Sequence, residues 1–326
     1  MLQMRDSTPA LTDTATLLRE IRSEGYVLLR ALIDPAAATQ VADDVRSVLA
    51  NHGWIAHGVS ERVRAVPPRS SDEYWRTLGD ILALESLNAL AHVDSLTATM
   101  RRLLGDGAYV YPMKTPRTVY PSALGGRPID IHRDNRGGPW VRDMLTTWVA
   151  LRDIPVEMGG LAMLPGSQTY EPAPDGSVEH SERLHVWNDD PRWVTTDFQP
   201  GDVVVFHCYA IHKGMPNETD DVRLSVDYRW QTRDHPAHVS VVYPYHYFDV
   251  HPRIPSWEEL STGWTTRRWC ELPEDAPVTY TKWPYGDDDR VPASRFVDVA
   301  PGARGGWRDE TRDDAPYLIA TPRHAD

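Results

Sequence analysis

The sequence is poor in cysteine, in lysine and in long apolar runs. Its two cysteines, Cys208 and Cys270, are too few for a disulfide framework or a thiolate metal site. No stretch is long and apolar enough to span a bilayer, and residues 1–7 lack the apolar run of a signal peptide. The formal net charge of -13 over 326 residues opposes binding to nucleic acid or to an anionic membrane. We therefore expect a cytoplasmic protein with a small-molecule partner, and the sequence does not predict its oligomeric state.

The first third of the chain predicts helices. Residues 13–24 place apolar side chains at helical spacing, and Gly25 follows as a stop signal. Asp34-Pro35 supplies an N-cap and a first-turn proline for a second helix. A further helical region is predicted in pieces over residues 71–104.

After Gly107 the sequence changes to short apolar runs separated by proline and glycine. The predicted strands are Tyr109–Lys114, Thr118–Pro121, Ile129–Asp134, Met144–Arg152, Leu161–Leu164, Trp193–Phe198, Val203–His207 and Val222–Trp230. Strands at this spacing without intervening helices favour an α+β, mainly β fold, with a double-stranded β-helix (jelly-roll, cupin-like) core. We expect a single domain over residues 1–326, with a helical part at 1–107, the jelly-roll core at 108–231 and a C-terminal loop and helix extension at 232–326.

His132 and Asp134 form a His-x-Asp pair, and side chains at positions i and i+2 of a strand lie on the same face. A single pair of this kind occurs often by chance. Here, turns rich in glycine and proline at 125–128 and 136–139 place the pair at an exposed strand end. The distant His212 can complete a set of two imidazoles and one carboxylate, which is the ligand set of non-haem Fe(II) oxygenases.

The wider pattern resembles the phytanoyl-CoA dioxygenase-like family of Fe(II)- and 2-oxoglutarate-dependent oxygenases. The residues that carry the resemblance are His132, Asp134, Met163–Ser167, Gly201-Asp202, His212, Pro216-Asn217 and Arg223. The resemblance implies that His132, Asp134 and His212 bind Fe(II), and that Arg223 pairs with the distal carboxylate of 2-oxoglutarate. It further implies O2-dependent hydroxylation of an unactivated C–H bond of a small molecule in bacterial specialised metabolism, with succinate and CO2 as co-products.

Three more residues are candidates for binding 2-oxoglutarate. A guanidinium binds a carboxylate through two parallel hydrogen bonds, and Ser225, two residues after Arg223, can support the same carboxylate. Trp148 matches a position that contacts the co-substrate in relatives, although a core tryptophan packing on the sheet is an equal alternative. Lys114 precedes the His-x-Asp strand and either meets an anion or extends to solvent.

His207 is a rival to His212, but five residues separate them, so a strand sends them to opposite faces and only one can join the metal. The spacing to Pro216-Asn217 and Arg223 favours His212. Asp134 also bears on the chemistry, because halogenating relatives carry a small residue at the carboxylate position. The sequence therefore favours oxygen transfer over halogenation.

Several functions remain open at this stage. The same iron chemistry can end in desaturation, epimerisation or ring formation. A metal-dependent cupin-type hydrolase or isomerase would use the three ligands but would not need Arg223, and a non-catalytic binding module would need none of the four. Predicted walls of the substrate pocket are residues 62–68, residues 136–140 and the aromatic C-terminal segment.

Overall fold

The computed structural model describes residues 1–56, 62–134, 144–170, 186–238, 241–245 and 255–279. Within these ranges the chain has helices in its first third and mostly antiparallel sheets after them, which makes a mixed α/β architecture. No helix in these ranges is long and apolar enough to cross a membrane.

The described helices follow the predicted pattern and begin at the predicted caps. They are α1 (Thr14–Glu24), α2 (Pro35–Asn51), α3 (Asp72–Leu82), α4 (Glu85–Leu90), α5 (Asp94–Leu104) and the short α6 (Trp257–Leu260). The Asp13 carboxylate accepts a hydrogen bond from the Thr16 amide at 3.1 Å, and Asp34 caps α2 in the same way. Gly25 ends α1 with φ of 84°, a conformation that glycine adopts without steric cost.

A five-stranded sheet, antiparallel throughout, forms the centre of the structure. Its order is β2-β7-β4-β9-β3, and its strands are β2 (Tyr26–Leu29), β3 (Ala108–Val119), β4 (Leu145–Ala150), β7 (Val203–His207) and β9 (Arg223–Thr232). The predicted division of residues 109–121 into two strands is wrong. Strand β3 is continuous and absorbs the irregularity as a register shift between Val110 and Lys114, the usual effect of a β-bulge.

A second sheet has the order β1-β6-β5-β8. Its strands are β1 (Leu2–Gln3), β5 (Leu161–Met163), β6 (Val194–Thr195) and β8 (His212–Gly214). Here the predicted Ile129–Asp134 strand is reduced to one isolated bridge between His132 and His212. Strand β8 begins at His212, where no strand was predicted.

The central sheet lies between the helices and the second sheet. Successive side chains of its strand β7 pack alternately on the two sides. Val203 and Val205 belong to an apolar cluster with helix residues such as Val41. Val204 and Phe206 belong to another cluster, which includes Leu161, Met163 and Val194 of the second sheet. Side chains on a strand point alternately to its two faces. The face of the central sheet that meets the second sheet is therefore the one that can carry an enclosed site.

The described C-terminal residues pack on the helices and beside the central sheet. The strands β10 (Ala237–His238) and β11 (Val278–Thr279) pair in parallel. The Glu85 carboxylate at the start of α4 accepts hydrogen bonds from the backbone amides of Thr265 and Thr266 at 2.8 and 2.9 Å and from the Trp269 indole at 3.1 Å. The Thr266 hydroxyl also donates to this carboxylate, and its hydrogen bond, together with these, lowers the pKa of Glu85 to about 2.

We expect Gly201→Ala to destabilise the fold strongly. Gly201 has φ of 84°, and a Cβ there would lie 2.2 Å from the Ile33 carbonyl oxygen, so the backbone must move. The control is Gly53→Ala, because Gly53 has φ of 77° with open space around it. The left-handed conformation alone costs about 1–2 kcal/mol, whereas the added backbone clash brings the loss at Gly201 to about 3 kcal/mol or more. Urea unfolding of both variants measures the difference, and equal losses would contradict the clash.

Candidate metal centre

His132, Asp134 and His212 converge where the segment that ends at Asp134 meets β8. The His132 and His212 backbones exchange two hydrogen bonds, each of 3.0 Å, and the Asp134 amide donates to the Cys208 carbonyl at 2.9 Å. His132, Asp134 and His212 are each 5% exposed. These three backbone hydrogen bonds therefore hold the triad in a buried position, although the segment before Asp134 forms no long strand.

The ligand atoms of the triad are close enough for one ion. Nε2 of His132 lies 3.7 Å from Oδ1 of Asp134, and Nε2 of His212 lies 3.9 Å from the same oxygen. All three ligand atoms lie within 4.8 Å of one another, and the part of the chain that the structure describes contains no second group of this kind. Two imidazoles and one carboxylate on one side of an ion leave coordination positions open for other molecules.

Backbone carbonyls fix the tautomer of both imidazoles. Nδ1 of His132 lies 2.7 Å from the Asp130 carbonyl oxygen, and Nδ1 of His212 lies 3.0 Å from the Ala210 carbonyl oxygen. A carbonyl can only accept, so each Nδ1 carries the proton and each Nε2 presents its lone pair. Burial, together with the nearby His132, lowers the pKa of His212 to about 3, which leaves this imidazole neutral and able to bind a metal.

Asp134 is supported on both of its oxygens. Arg229 donates to Oδ1 from Nη2 at 3.1 Å, and the Thr146 hydroxyl donates to Oδ2 at 2.7 Å. The Thr115 hydroxyl accepts from Nη1 of Arg229 at 2.9 Å and so orients the guanidinium. Burial by itself would raise the pKa of Asp134, but the charge of the adjacent Arg229 holds it well below its ordinary value. The site therefore presents a carboxylate anion at Asp134 and a neutral imidazole at His212, the protonation states that a divalent metal requires of such ligands.

Arg223, Ser225 and Trp148 form a second polar group on the same face of the central sheet. Arg223 is fully buried and donates from Nη1 to the Ser225 hydroxyl at 2.6 Å and from Nε to the Gly159 carbonyl at 3.1 Å. Its guanidinium carbon lies 5.9 Å from the centre of the Trp148 ring. Burial lowers the pKa of Arg223 to about 10, so the guanidinium stays charged at neutral pH. Trp148 also packs on Phe198 with ring centres 4.7 Å apart, as the core-packing alternative predicts.

The structure does not bring Lys114, a predicted co-substrate residue, to the triad. Lys114 pairs with Tyr228 in the ladder between β3 and β9, and Tyr228 belongs to the helix-facing cluster. The Lys114 ammonium donates to the Tyr111 carbonyl, and burial lowers the pKa of Lys114 to about 7. Residues directly opposite in an antiparallel ladder share a face. Lys114 therefore points away from the triad.

Sequence reasoning missed Arg229 and Arg117. On β9 the polar residues Arg223, Ser225, Asp227 and Arg229 alternate with apolar ones, a period-two signal that one face of the strand is polar. Arg117 lies opposite Ser225 in the ladder and donates from Nε to Asp227 at 2.7 Å. Arg229 could have been found from this alternation, whereas Arg117 lies on β3 and its place on this face depends on the register with β9.

None of the other histidines that the structure describes joins the triad. His207, at the end of β7, accepts a hydrogen bond from the Tyr209 amide at 3.2 Å and is fully buried, as expected for a structural residue. His235 lies in the turn after β9. The predicted pocket wall at 136–140 lies outside the described residues, and so do His246 and His251.

Comparison with known proteins decides the family. The family model described as phytanoyl-CoA dioxygenase (PhyH) matches residues 21–225, which include the triad, Arg223 and Ser225. The chain belongs to this family. Family membership agrees with the resemblance inferred from the sequence and makes the protein an oxidoreductase.

Individual relatives of this PhyH-family protein come from natural-product pathways. It is 26% identical over 245 residues to a 1-deoxypentalenic acid 11-beta-hydroxylase of Streptomyces exfoliatus, covering 69% of this chain and 84% of the hydroxylase. Among solved structures it is similar to the α-ketoglutarate-dependent carbocyclase SnoK from nogalamycin biosynthesis, with 26% identity, a TM-score of 0.51 and coverage of 74% and 90% of the two chains. The epimerase SnoN from the same pathway shares the fold, with 21% identity, a TM-score of 0.50 and coverage of 68% and 84%.

Proposed function

We propose that this protein is an Fe(II)- and 2-oxoglutarate-dependent dioxygenase that hydroxylates an unactivated C–H bond of a small molecule, in bacterial specialised metabolism. The observation that carries the proposal is the placement of the buried triad and the buried Arg223 on the same enclosed face. A metal site alone would not need the arginine. Among the described residues no carboxylate pairs with the Arg223 guanidinium, and such a charged group is suited to an anionic co-substrate.

In this proposal one group of residues binds the metal and a second group binds the co-substrate. His132, Asp134 and His212 hold Fe(II), and Arg223 binds the distal carboxylate of 2-oxoglutarate with the help of the Ser225 hydroxyl. Trp148 packs beside the guanidinium and excludes water from this pair, which strengthens the interaction. When bound, iron with 2-oxoglutarate and O2 supplies the oxidation of the C–H bond, with succinate and CO2 as products.

The two sheets support a more specific fold assignment. We infer a double-stranded β-helix, because the antiparallel central sheet and the second sheet bury a common cluster between them and enclose the triad at one end. On this reading residues 1–326 form a single cytoplasmic oxygenase domain, with the helical part at 1–107, the core at 108–231 and the extension at 232–326.

The similar proteins catalyse more than one outcome of this chemistry. The chain resembles a hydroxylase and a carbocyclase at the same identity, so ring formation is the second candidate. Hydroxylation is the first candidate because two relatives at 26% identity, from Streptomyces exfoliatus and Streptomyces arenae, are hydroxylases. A cupin-type hydrolase or isomerase, or a binding module, would gain nothing from burying Arg223 beside the metal ligands.

An anaerobic titration with Fe(II) and 2-oxoglutarate tests the proposal. We expect the wild type to develop the visible metal-to-ligand charge-transfer band of a chelated 2-oxoglutarate, and we expect His132→Ala to develop none. Arg223→Ala loses hydrogen bonds to a charged group, worth about 1.5–3 kcal/mol, so it requires roughly 10- to 100-fold more 2-oxoglutarate.

Arg152→Ala is the matched control, because Arg152 is a partly buried arginine that pairs with Asp221 at 2.8 Å rather than with the site. It is expected to titrate like the wild type. A folded wild type without the band would refute the oxygenase proposal, and an Arg223→Ala variant with unchanged 2-oxoglutarate affinity would refute the role of Arg223.

A further inference from the structure

Arg117 is a cation of the metal-bearing face that the proposed function does not use. It lies opposite Ser225 in the ladder between β3 and β9, so its side chain is on the same face as Arg223. Its charge is close enough to lower the pKa of both His212 and Arg223. The guanidinium is therefore near the metal ligands and also near the group assigned to 2-oxoglutarate.

Arg117 uses only its Nε nitrogen in the described contacts, which leaves its two Nη nitrogens available to a ligand. Nε donates to Oδ2 of Asp227 at 2.7 Å, which fixes the plane of the guanidinium. Within the described ranges, neither Nη nitrogen donates to a protein acceptor. The side chain is 22% exposed, whereas Arg223 is 0% exposed. Arg117 is thus pre-oriented and accessible, as a group that receives an exchanging ligand needs to be.

Charge also favours an anion at this position. Among the described residues of this face, Arg229 is paired with Asp134 and Arg117 with Asp227, which leaves the charge of Arg223. A divalent metal adds two positive charges, and 2-oxoglutarate removes two. One net positive charge remains, and a single carboxylate would neutralise it.

Aromatic side chains lie near Arg117, and apolar side chains lie beside Asp134. Tyr245 is close enough to interact electrostatically with Arg117, and its ring packs on Trp75 with ring centres 5.7 Å apart. Beside Asp134, the residues Met144 and Cys208 belong to an apolar cluster that the C-terminal residues complete. A ligand that extends from Arg117 toward Asp134 would meet one fixed cation and these aromatic and apolar side chains.

We propose that Arg117 binds a carboxylate of the substrate, and that the substrate is an apolar molecule with one such group. The proposal rests on the proposed oxygenase function and adds the substrate class to it. A guanidinium held by one edge can offer its two Nη nitrogens to both oxygens of a carboxylate. Asp227 then acts as a positioning residue for Arg117.

Equilibrium dialysis with two matched probes tests the proposal. The probes are 4-(trifluoromethyl)benzoate and the neutral 4-(trifluoromethyl)benzamide, dialysed under argon against protein with Fe(II) and saturating 2-oxoglutarate and quantified by fluorine NMR of the protein-free chamber. We expect the wild type to bind the benzoate at least tenfold more tightly than the benzamide. Arg117→Gln, whose amide can still donate to Asp227, is expected to lose this preference, and Arg117→Lys to retain part of it.

Arg152→Gln removes the same charge outside the site and is expected to keep the wild-type preference. A wild type that does not prefer the benzoate, or an Arg117→Gln variant that keeps the preference, would overturn the proposal. A tenfold weaker 2-oxoglutarate titration in Arg117→Gln would also overturn it, by assigning Arg117 to the co-substrate. Loss of the wild-type charge-transfer band counts against the oxygenase function, whereas a normal band without carboxylate preference counts against Arg117 alone.

Discussion

Replacing Asp134 by asparagine is expected to weaken Fe(II) binding by on the order of 100-fold or more, the upper end of the effect of changing groups that support a metal site. Asp134 is the only anion of the triad, and its oxygen Oδ1 lies within 3.9 Å of Nε2 of both histidines. Asparagine keeps the size of the side chain but removes the charge that the metal meets. The expected loss of Fe(II) affinity is therefore due to the removed charge and not to a change in packing.

The same substitution is expected to destabilise the metal-free protein. In Asp134→Asn the buried Arg229, 6% exposed, loses its carboxylate partner. Breaking one side of a buried ion pair costs about 3–5 kcal/mol, because the remaining charge is left without compensation. The variant therefore separates two roles of Asp134, one toward the metal and one toward Arg229.

Two measurements on one set of proteins distinguish these roles. Calorimetric titration with Mn(II), an air-stable substitute for Fe(II), reports metal affinity, and urea unfolding without metal reports stability. Asp153→Asn makes the same change at an exposed position and is expected to alter neither. Metal affinity within a factor of three of the wild type in Asp134→Asn would remove Asp134 from the ligand set.

Local sequence signals predicted the parts of the molecule that depend on neighbouring residues. The caps at Asp13 and Asp34 and the glycine stop after α1 are short-range features, and the helices begin and end there. The His-x-Asp spacing is also local. Such signals were sufficient to identify His132, Asp134 and, with the family pattern, His212.

The pairing of distant strands could not be predicted in this way. Lys114 and Arg117 are three residues apart, so a strand sends them to opposite faces, but only the register with β9 decides which one faces the site. Arg229 is 95 residues from Asp134, and no local pattern joins them. The sequence shows that β9 has a polar face, whereas the three-dimensional pairing assigns each polar residue its partner.

The consequence of that pairing is that one strand supports both halves of the site. In the proposed function Arg223 at the start of β9 binds the co-substrate, and Arg229 further along the same strand donates to Asp134, the proposed metal ligand. The β9 strand is hydrogen-bonded on both sides, to β3 and β4. The spacing between the two functions is therefore fixed by a central strand and not by a loop.

Replacing Arg229 by methionine is expected to weaken metal binding by roughly 10- to 100-fold, the usual effect of losing a group that orients a metal ligand. The guanidinium donates to Oδ1 of Asp134 at 3.1 Å and is itself oriented by Thr115. Without it, the carboxylate retains only the hydrogen bond from Thr146 among these supports and loses its fixed direction. Arg229→Lys keeps the charge but not the two-pronged geometry, so we expect it to recover part of the affinity.

A role in positioning Asp134 can be separated from a role in general stability. Mn(II) affinity is expected to fall in Arg229→Met while the affinity for 2-oxoglutarate, measured at saturating metal, stays near that of the wild type, because Arg223 is untouched. Co(II) absorption spectra of the two proteins would show the changed ligand geometry directly. Arg233→Met is the control, since Arg233 lies just beyond β9 and pairs with Asp275 at an exposed position. If Arg229→Met bound metal normally and only unfolded earlier, Arg229 would be a structural residue of the sheet and Asp134 would be oriented by Thr146 alone.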